Sequence, residues 1–254
     1  MTGMALGTGV GLAAQALAKR VAARLPEEMT ASSATTIEER KMLSAENPFI
    51  ESGPTDGNRI ALTFDDGPTP GVTERILDEL KQRDLHATFF MIGQRVDAEP
   101  ELARRVLAEG HEIGNHTFTH TKLNTLPDRK AAAEIEKTQE TLNALLNYRA
   151  NWFRPPCGAL RRNQAAIPQS KGLGTVFWSV DSGDWAQPGE DKIAEAILTK
   201  IHPGSIILCH DLYPQTASCV GEVLKQLLKR NFNFVTVSSL LGQPSNGASH
   251  ASVP

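Results

Sequence analysis

The chain has 254 residues, of which 40% are hydrophobic and 22% charged, and its formal net charge is −3. This composition excludes a disordered chain, a collagen-like repeat and a coiled coil. The chain has 26 basic and 29 acidic residues and no basic block. The sequence therefore lacks the clustered positive charge that is typical of nucleic-acid-binding proteins. No apolar stretch reaches about 18 residues, so the sequence predicts no membrane-spanning segment.

The first 57 residues are predicted to form an N-terminal extension and linker. Residues 1–25 are rich in Ala, Gly and Leu, and residues 4–18 are mildly apolar, although no Lys or Arg precedes them. This segment is either a truncated secretory signal or anchor, or an amphipathic helix. Residues 26–58 are polar and typical of a linker. The last residues, 243–254, are rich in Ser, Gly, Pro and Ala and are predicted to be a disordered tail.

Between these ends, short β-prone runs alternate with helical patterns. Seven strands are predicted, at residues 59–64, 87–92, 112–114, 151–154, 175–180, 205–210 and 233–237. Six helices are predicted, at residues 72–83, 100–109, 128–146, 164–171, 191–201 and 216–230. This alternation predicts an α/β fold, a parallel sheet with helices packed outside it. The number of strands favours a closed or nearly closed (β/α) barrel, with a doubly wound open sheet as the alternative.

Polar side chains collect where the predicted strands end. In both architectures the carboxyl ends of parallel strands share one face, and functional groups gather there. The side chains expected on that face are Asp65, Asp66, His116, His120, Arg154, Asp181, Asp184, Trp185 and His210.

The acidic pair and the histidine pair are the first candidates for chemistry. Asp65 and Asp66 interrupt an apolar run, and because adjacent residues of an extended chain point to opposite sides, the two carboxylates are expected to have different roles. Taken alone, such a pair is typical of a solvated turn. His116 and His120 have the spacing that places two imidazoles on one side of a helical turn, where zinc binds with a third ligand from elsewhere. The intervening residues lack the glutamate of HExxH enzymes, so Asp65 is the available base.

Two further motifs lie at strand ends. Arg154 begins an Arg-Pro-Pro-Cys-Gly run, in which two prolines restrict the amide of Cys157. This run is either a rigid loop with a surface arginine, or a site in which Arg154 orients a carboxylate and the Cys157 N–H points inward. His210 is either a structural or a catalytic histidine. Strand alternation places Cys209 away from it, and Cys209 and Cys219 are expected to be buried thiols outside any disulfide framework.

Together and in this order, the motifs resemble those of the polysaccharide deacetylase family, carbohydrate esterase family four, over residues 58–240. The motifs that carry the resemblance are TFDD at 63–66, HTFTH at 116–120, RPPCG at 154–158, DSGDW at 181–185 and LCH at 208–210. The resemblance implies a distorted (β/α) barrel, often of seven strands. It assigns residues 58–242 to a deacetylase catalytic domain.

The resemblance also implies a set of site residues. Three ligands of a divalent metal, usually zinc but also cobalt or another divalent ion, are implied: Asp66, His116 and His120. Five catalytic groups are implied: Asp65, Arg154, Cys157, Asp184 and His210. Three residues are implied to wall the pocket that receives the acetyl group: Pro156, Trp185 and Leu208.

The implied roles of the catalytic groups differ. Asp65 is the general base, which Arg154 holds in its ionised form. His210 is the general acid, which Asp184 supports in its protonated state. The backbone N–H of Cys157 stabilises the oxyanion. The family usually has Tyr at this position, and because only the main-chain amide is needed, the role is expected to survive the change.

The implied reaction is hydrolysis of N-acetyl groups on polysaccharide that contains N-acetylglucosamine, such as chitin oligomers or peptidoglycan, with release of acetate. One alternative is an O-acetyl esterase acting on xylan, and another is a non-catalytic carbohydrate-binding member of the same fold. Two histidines and one carboxylate also describe the facial triad of non-haem iron oxygenases, which would leave Asp65 and Arg154 without a role. Because such polymers lie outside the cytoplasm, an extracytoplasmic location is expected.

Overall fold

The computed structural model describes residues 49–244, and the predicted extension and tail lie largely outside these residues. Eight strands are found in the described part: β1 Arg59–Asp65, β2 Thr88–Met91, β3 Glu112–Asn115, β4 Trp152–Phe153, β5 Gly174–Thr175, β6 Val180–Asp181, β7 Ile206–His210 and β8 Asn233–Phe234. The helices there are α1 Thr73–Lys81, α2 Gly93–Ala98, α3 Pro100–Ala108, α4 Asp128–Leu146, α5 Ala166–Ser170, α6 Glu190–Lys200, α7 Pro214–Lys229 and α8 Val237–Leu241. Within the described residues, none of these helices is both long and apolar enough to cross a bilayer.

The strands form one curled parallel sheet in the order β5-β4-β3-β2-β1-β7-β6, and the short β8 pairs with the beginning of β1. In this register Asp65 lies opposite Phe90 of β2 on one side and opposite His210 of β7 on the other. The carboxyl ends of the central strands therefore meet at one end of the sheet. The predicted distorted (β/α) barrel of about seven parallel strands is confirmed.

The prediction of one strand at residues 175–180 is wrong, because its two ends belong to the two edge strands of the sheet, β5 and β6. The chain leaves the sheet after β5 and re-enters it at β6. Between them, Phe177 donates its N–H to the carbonyl of Ile50 (2.7 Å), and Val176 forms a parallel bridge with the same Ile50. A residue expected in the linker thus pairs with the chain just after β5, one of the two edge strands.

The interior of the barrel is filled by residues from one face of the strands, from the segment after β5 and from helix α8. The inner apolar group consists of Ala61, Phe90, Trp152, Val176, Ile206, Val237 and Leu240. Two strand glycines make room for its largest rings. A Cβ at Gly114 would lie 2.3 Å from Cδ1 of Phe90, and a Cβ at Gly174 would lie 2.4 Å from Cζ3 of Trp152. Because real side chains do not approach this closely, glycine is required at both positions for the aromatic rings to fill the centre.

The opposite face of the strands packs against the helices. This outer layer includes Phe64, Phe89, Ile113, Phe153, Ile207, Cys209 and Cys219. Cys209 and Cys219 are buried, as expected from the sequence, and all three cysteines of the chain are free thiols. The alternation between the inner and outer groups along β1, β2 and β7 is the period of two that the strands impose.

Helix α8 closes the amino-terminal end of the barrel, where the sequence predicts the end of a strand. Thr236 caps the helix by accepting a hydrogen bond from the N–H of Ser239 (3.2 Å). The buried carboxylate of Glu112 accepts from the N–H of Ser238 (3.0 Å) and from the hydroxyl of Thr88 (2.9 Å). These contacts involve the first residues of β2 and β3, so the carboxyl end of the barrel is left for the polar residues.

Candidate active site

The two adjacent carboxylates lie at the end of β1 and face the same cluster. Asp65 is buried at the end of the strand, and Asp66 has a positive φ of 78°. Asp65 Oδ2 and Asp66 Oδ1 lie 3.8 Å and 3.4 Å from Nε2 of His116. The expectation that the two side chains point to opposite sides is wrong, because it assumes an extended chain at Asp66. The left-handed backbone there turns the second carboxylate back towards the first.

The segment that carries His116 and His120 is an irregular loop after β3. The helical turn suggested by the spacing of the two histidines is wrong, because Thr117 and His120 have positive φ values of 64° and 61°. The loop still brings the imidazoles together, with ring centroids 5.1 Å apart. Two histidines four residues apart are therefore brought together by a loop with positive φ values and not by a helical turn.

Two sets of contacts that the sequence did not indicate fix this loop. The first two N–H groups of α2 donate to the carbonyls of Thr117 and Phe118 (2.9 and 3.0 Å). Glu134 of α4 accepts hydrogen bonds on Oε2 from the N–H groups of Phe118 and Thr119 (3.1 and 2.8 Å). The backbone of each residue between the histidines is thus hydrogen bonded to a neighbouring helix, either to its N–H groups or to the side chain of Glu134.

Three potential metal ligands converge at this point. Asp66, His116 and His120 each offer one ligand atom, and these atoms lie within 4.8 Å of one another. Asp66 Oδ1 is 3.0 Å from Nε2 of His120, yet this buried oxygen has no hydrogen bond of acceptable geometry within the described residues. The imidazole nitrogens therefore surround Asp66 without satisfying it as hydrogen-bond donors. This arrangement fits a divalent cation held by three protein ligands with a position left open.

The protonation of these groups agrees with a ligand role. His116 Nδ1 donates to the carbonyl of Arg154 (2.7 Å), and because a carbonyl only accepts, Nε2 presents its lone pair to the cluster. Burial opposes the charge on Asp66, but its close contacts with the imidazoles of His116 and His120 hold the pKa of Asp66 well below its usual range. The carboxylate is therefore ionised at neutral pH.

Arg154 is fully buried and holds Asp65. Its Nη1 donates to Asp65 Oδ1 and to the hydroxyl of Thr63, both at 2.7 Å. Its guanidinium lies 4.1 Å from the ring centroid of Phe90, and its Nη2 donates to the carbonyl of Phe177 (2.9 Å). Burial lowers the pKa of Arg154, and Asp65 opposes that effect. The interpretation of Arg154 as a surface residue is thereby excluded, while Thr63 and Phe90 are partners that the sequence did not indicate.

His210 and Asp184 form a second buried pair. Asp184 Oδ1 lies 2.6 Å from Nδ1 of His210, and Oδ2 accepts from the backbone N–H of His210 (2.8 Å) and from the hydroxyl of Thr216 (2.7 Å). Burial disfavours the imidazolium, but the hydrogen bond with Asp184 and the negative charges of Asp65, Asp184 and Asp66 raise the pKa of His210 to about 9. At neutral pH this residue is a protonated acid with Nε2 as its remaining donor.

The remaining predicted site residues line the same end of the barrel with different exposure. Leu208 is buried on the face of β7 that carries His210. Pro156 is buried at the beginning of the turn that contains Cys157. Cys157 is exposed and has a positive φ of 54°, in a short 3₁₀ turn. Trp185 is 58% exposed in the turn after β6, so its ring stands at the surface.

Comparisons with known proteins agree with this arrangement. The sequence profile of the polysaccharide deacetylase family matches residues 52–176. A chitooligosaccharide deacetylase of Rhizobium leguminosarum bv. trifolii is 40% identical over 208 residues, which cover 76% of this chain and 96% of that relative. The solved structure of the Bc1960 peptidoglycan N-acetylglucosamine deacetylase is 34% identical with a TM-score of 0.76, over 82% of this chain and 99% of that one.

Not every relative with this fold is a catalyst or of similar length. The solved structure of BA3943 from Bacillus anthracis, a CE4 family pseudoenzyme, is 29% identical with a TM-score of 0.72, over 76% of this chain and 68% of that one. The chain spans only 38% to 42% of the length of other curated relatives, which are peptidoglycan deacetylases. Similarity over nearly the whole rhizobial relative, together with five motifs gathered at one end of the barrel, nevertheless shows that the chain belongs to the polysaccharide deacetylase family.

Proposed function

We propose that the chain is a metal-dependent hydrolase that removes N-acetyl groups from N-acetylglucosamine-containing polysaccharide, either chitin oligomers or peptidoglycan. It would act on a carbon–nitrogen bond other than a peptide bond and release acetate. The observation that carries this proposal is the joint presence, at one end of the barrel, of a three-ligand cluster, the buried pair Asp65–Arg154 and the buried pair His210–Asp184. Each pair supplies one of the two proton transfers that amide hydrolysis requires.

The metal is proposed to be zinc, held by Asp66, His116 and His120, because two imidazoles and one carboxylate are ligands that zinc prefers. A bound divalent ion supplies a water of lowered pKa and polarises the acetyl carbonyl. The residues of the chain then act around it. Asp65, held by Arg154, accepts the proton of the attacking water.

The oxyanion and the leaving amine are proposed to be stabilised by Cys157 and by the pair His210–Asp184. The Cys157 N–H donates to the acetyl oxygen as negative charge develops on it. His210 gives its Nε2 proton to the leaving nitrogen, and Asp184 keeps the imidazole oriented through Nδ1. Leu208, Pro156 and Trp185 are proposed to enclose the acetyl group. Acetate and a free amino sugar result.

The raised pKa of His210 favours an amide over an ester. An amine anion is a far poorer leaving group than an alkoxide, so amide cleavage needs a proton donor that is charged at the working pH. His210 meets this requirement at neutral pH, with a pKa of about 9. An esterase acting on acetylxylan would depend less on such an acid. A non-catalytic member would have no need to bury both pairs beside the ligand cluster.

The proposed substrates favour a location outside the cytoplasm. Peptidoglycan is a cell-wall polymer and chitin oligomers are extracellular, so an extracytoplasmic location is part of the proposal. Acetylated polysaccharide is the proposed partner.

Acetate release tests the proposal. The wild type is treated with a chelator, then supplied with zinc, cobalt or no metal, and incubated with chitin oligomers, peptidoglycan and acetylxylan. Release from an N-acetylated polymer that depends on added metal is expected. Asp65→Asn serves as the matched control, since it should bind the metal without activity. Full activity in metal-free protein, or release from acetylxylan alone, would contradict the proposal.

A further inference from the structure

A buried carboxylate that the proposed chemistry does not use lies next to His210. Asp211 is completely buried, directly after β7. Its backbone N–H donates to the carbonyl of Asp65 (3.1 Å), so the residue after the acid is tied to the base across two neighbouring strands. Its Oδ2 accepts a hydrogen bond from the hydroxyl of Thr73 (2.7 Å) at the beginning of α1. Its other oxygen, Oδ1, has no hydrogen-bond partner among the described residues.

The side chain of Asp211 packs against the turn that follows the two catalytic-site carboxylates. A Cβ at Gly67 would lie 1.9 Å from Oδ2 of Asp211, so no larger residue fits between this turn and the carboxylate. The carbonyl of Gly67 accepts from the N–H of Ile92 (3.1 Å), which holds the other side of the turn against the end of β2. The residue after Asp66 is thus clamped between Asp211 and β2.

A chain of hydrogen bonds extends this clamp to the first helix. The N–H of Thr69 donates to the hydroxyl of Thr73 (2.8 Å), and that hydroxyl donates to Asp211. One side chain therefore connects the turn after β1, the beginning of α1 and the end of β7. Two of these segments carry the proposed site groups: Asp65 and Asp66 lie at the turn after β1, and His210 lies at the end of β7.

Packing alone does not account for an acid at this position. A buried oxygen without a partner destabilises a fold, and such atoms are rare in native proteins. Burial raises the pKa of Asp211 to about 7, and the charges of Asp66 and Asp65 add to the effect while Thr73 opposes it. An apolar side chain would avoid this destabilisation, but it could not accept from Thr73.

We propose that Asp211 is a positioning residue that fixes the turn at residues 65–67 against the end of β7. It touches no reacting atom. Its contact with Gly67 sets the position of Asp66 within the ligand cluster, and its N–H sets the separation of Asp65 from His210. The expected effect of Asp211 on catalysis rests on the proposed function. The expected effect of Asp211 on metal affinity can be measured whether or not the protein is active.

Three variants and one control test the inference. Asp211→Ala removes the contact, Asp211→Asn keeps its size and the acceptor for Thr73, and Thr73→Val removes the donor at nearly constant shape. The control is Gln139→Ala, since Gln139 is a buried polar residue of α4 that hydrogen bonds to Ala150, away from the site. Zinc affinity is measured by competition with a chromophoric chelator, alongside Tm, kcat and KM on an N-acetylated chitooligosaccharide.

Loss of a residue that orients a ligand reduces metal affinity by about 10–100-fold, and Asp211→Ala is expected to fall in this range. Its kcat at saturating zinc should fall about 10-fold or more while KM stays within about threefold, because misplaced groups affect the reacting geometry more than substrate binding. Asp211→Asn should restore most of both losses, and Thr73→Val should show smaller losses of the same kind. Gln139→Ala should lower Tm and leave zinc affinity and kcat unchanged.

A purely structural role predicts a different pattern. If Asp211→Ala lowers Tm but keeps wild-type zinc affinity and kcat, the inference is wrong. If Asp211→Ala does not fold, wild-type zinc affinity and kcat in Thr73→Val would overturn it equally. If the wild type itself releases no acetate from any substrate, the proposed function fails, and the zinc affinities still decide the role of Asp211.

Discussion

The charge on His210 can be tested through its partner, with the variant Asp184→Asn. His210 has a pKa of about 9 where an ordinary imidazole has 6.5. One pKa unit corresponds to about 1.4 kcal/mol, so the shift amounts to roughly 3 kcal/mol in favour of the imidazolium. Burial opposes this preference, and Asp184 supports it through both a hydrogen bond and its charge. Asparagine keeps an acceptor for Nδ1 but removes the charge, so the pKa of His210 should fall by about 1–2 units.

The assay is the pH dependence of kcat/KM for an N-acetylated chitooligosaccharide. The wild type should lose activity as the pH rises through about 9, where His210 loses its proton. In Asp184→Asn this alkaline limb should lie about 1–2 pH units lower, so the ratio of wild-type to variant activity should increase from pH 6 to pH 9 by roughly 5–50-fold. An alkaline limb at the same pH in both proteins would refute the assignment of His210 as the acid.

Thr216→Val is the matched control for this experiment. Thr216 donates to the same carboxylate (2.7 Å) but carries no charge. Its replacement should therefore leave the alkaline limb within about half a pH unit of the wild type.

The same shift links pH to stability. Because the folded-state pKa lies above the unfolded one, the stabilisation is complete below about pH 6.5 and is lost as the pH rises through 9. In the variant this pH dependence should be weaker and should end at a lower pH, which denaturant unfolding at several pH values can measure.

Other predictions address the metal, the two proton transfers and the core. Asp65→Asn should retain metal by elemental analysis yet lose about 10²–10⁴-fold in kcat, and loss of metal would instead make Asp65 a ligand. His116→Ala should lose most of its metal, and near-stoichiometric metal in that variant would remove His116 from the ligand set. His210→Ala should lower kcat/KM more for an N-acetyl substrate than for an aryl acetate, whose leaving group needs no proton, and equal losses at verified metal content would show that His210 only positions other groups. Gly114→Ala should lower the free energy of unfolding by about 1–3 kcal/mol, because its Cβ overlaps the ring of Phe90; an unchanged denaturation midpoint would show that the ring moves freely.

The parallel barrel could be predicted because its strands and helices carry strong local patterns. The pattern at residues 128–146 predicts the bounds of α4, and the run that ends at His210 predicts β7 to within one residue. The failures occur where distant contacts override local preference. Residues 175–180 have strand composition, but β5 ends and β6 begins within them, and Ile50 forms the bridge to Val176. Val237 looks like the end of a strand, yet Thr236 and Glu112 cap a helix at this point.

The same distinction applies to the site. Spacing and motif order indicated His116 and His120 as ligands, but the left-handed loop that joins them follows from Glu134 and the beginning of α2, which lie elsewhere in the sequence. Asp211 stands beside His210 in the chain and still could not be singled out. Its importance depends on contacts with Gly67 and Thr73, which only the fold brings to it.

The buried charge of Arg154 explains why Phe90 belongs to the inner apolar group of the barrel and why Gly114 lies beside it. A buried guanidinium is tolerated only when its donors are satisfied and its charge is compensated. Asp65 compensates the charge, Thr63 and the carbonyl of Phe177 accept further hydrogen bonds, and Phe90 offers a ring face at 4.1 Å. That ring can lie there only because Gly114 on the next strand has no side chain. A glycine inside β3, which weakens a strand locally, is thus required by the residue that holds the proposed base two strands away.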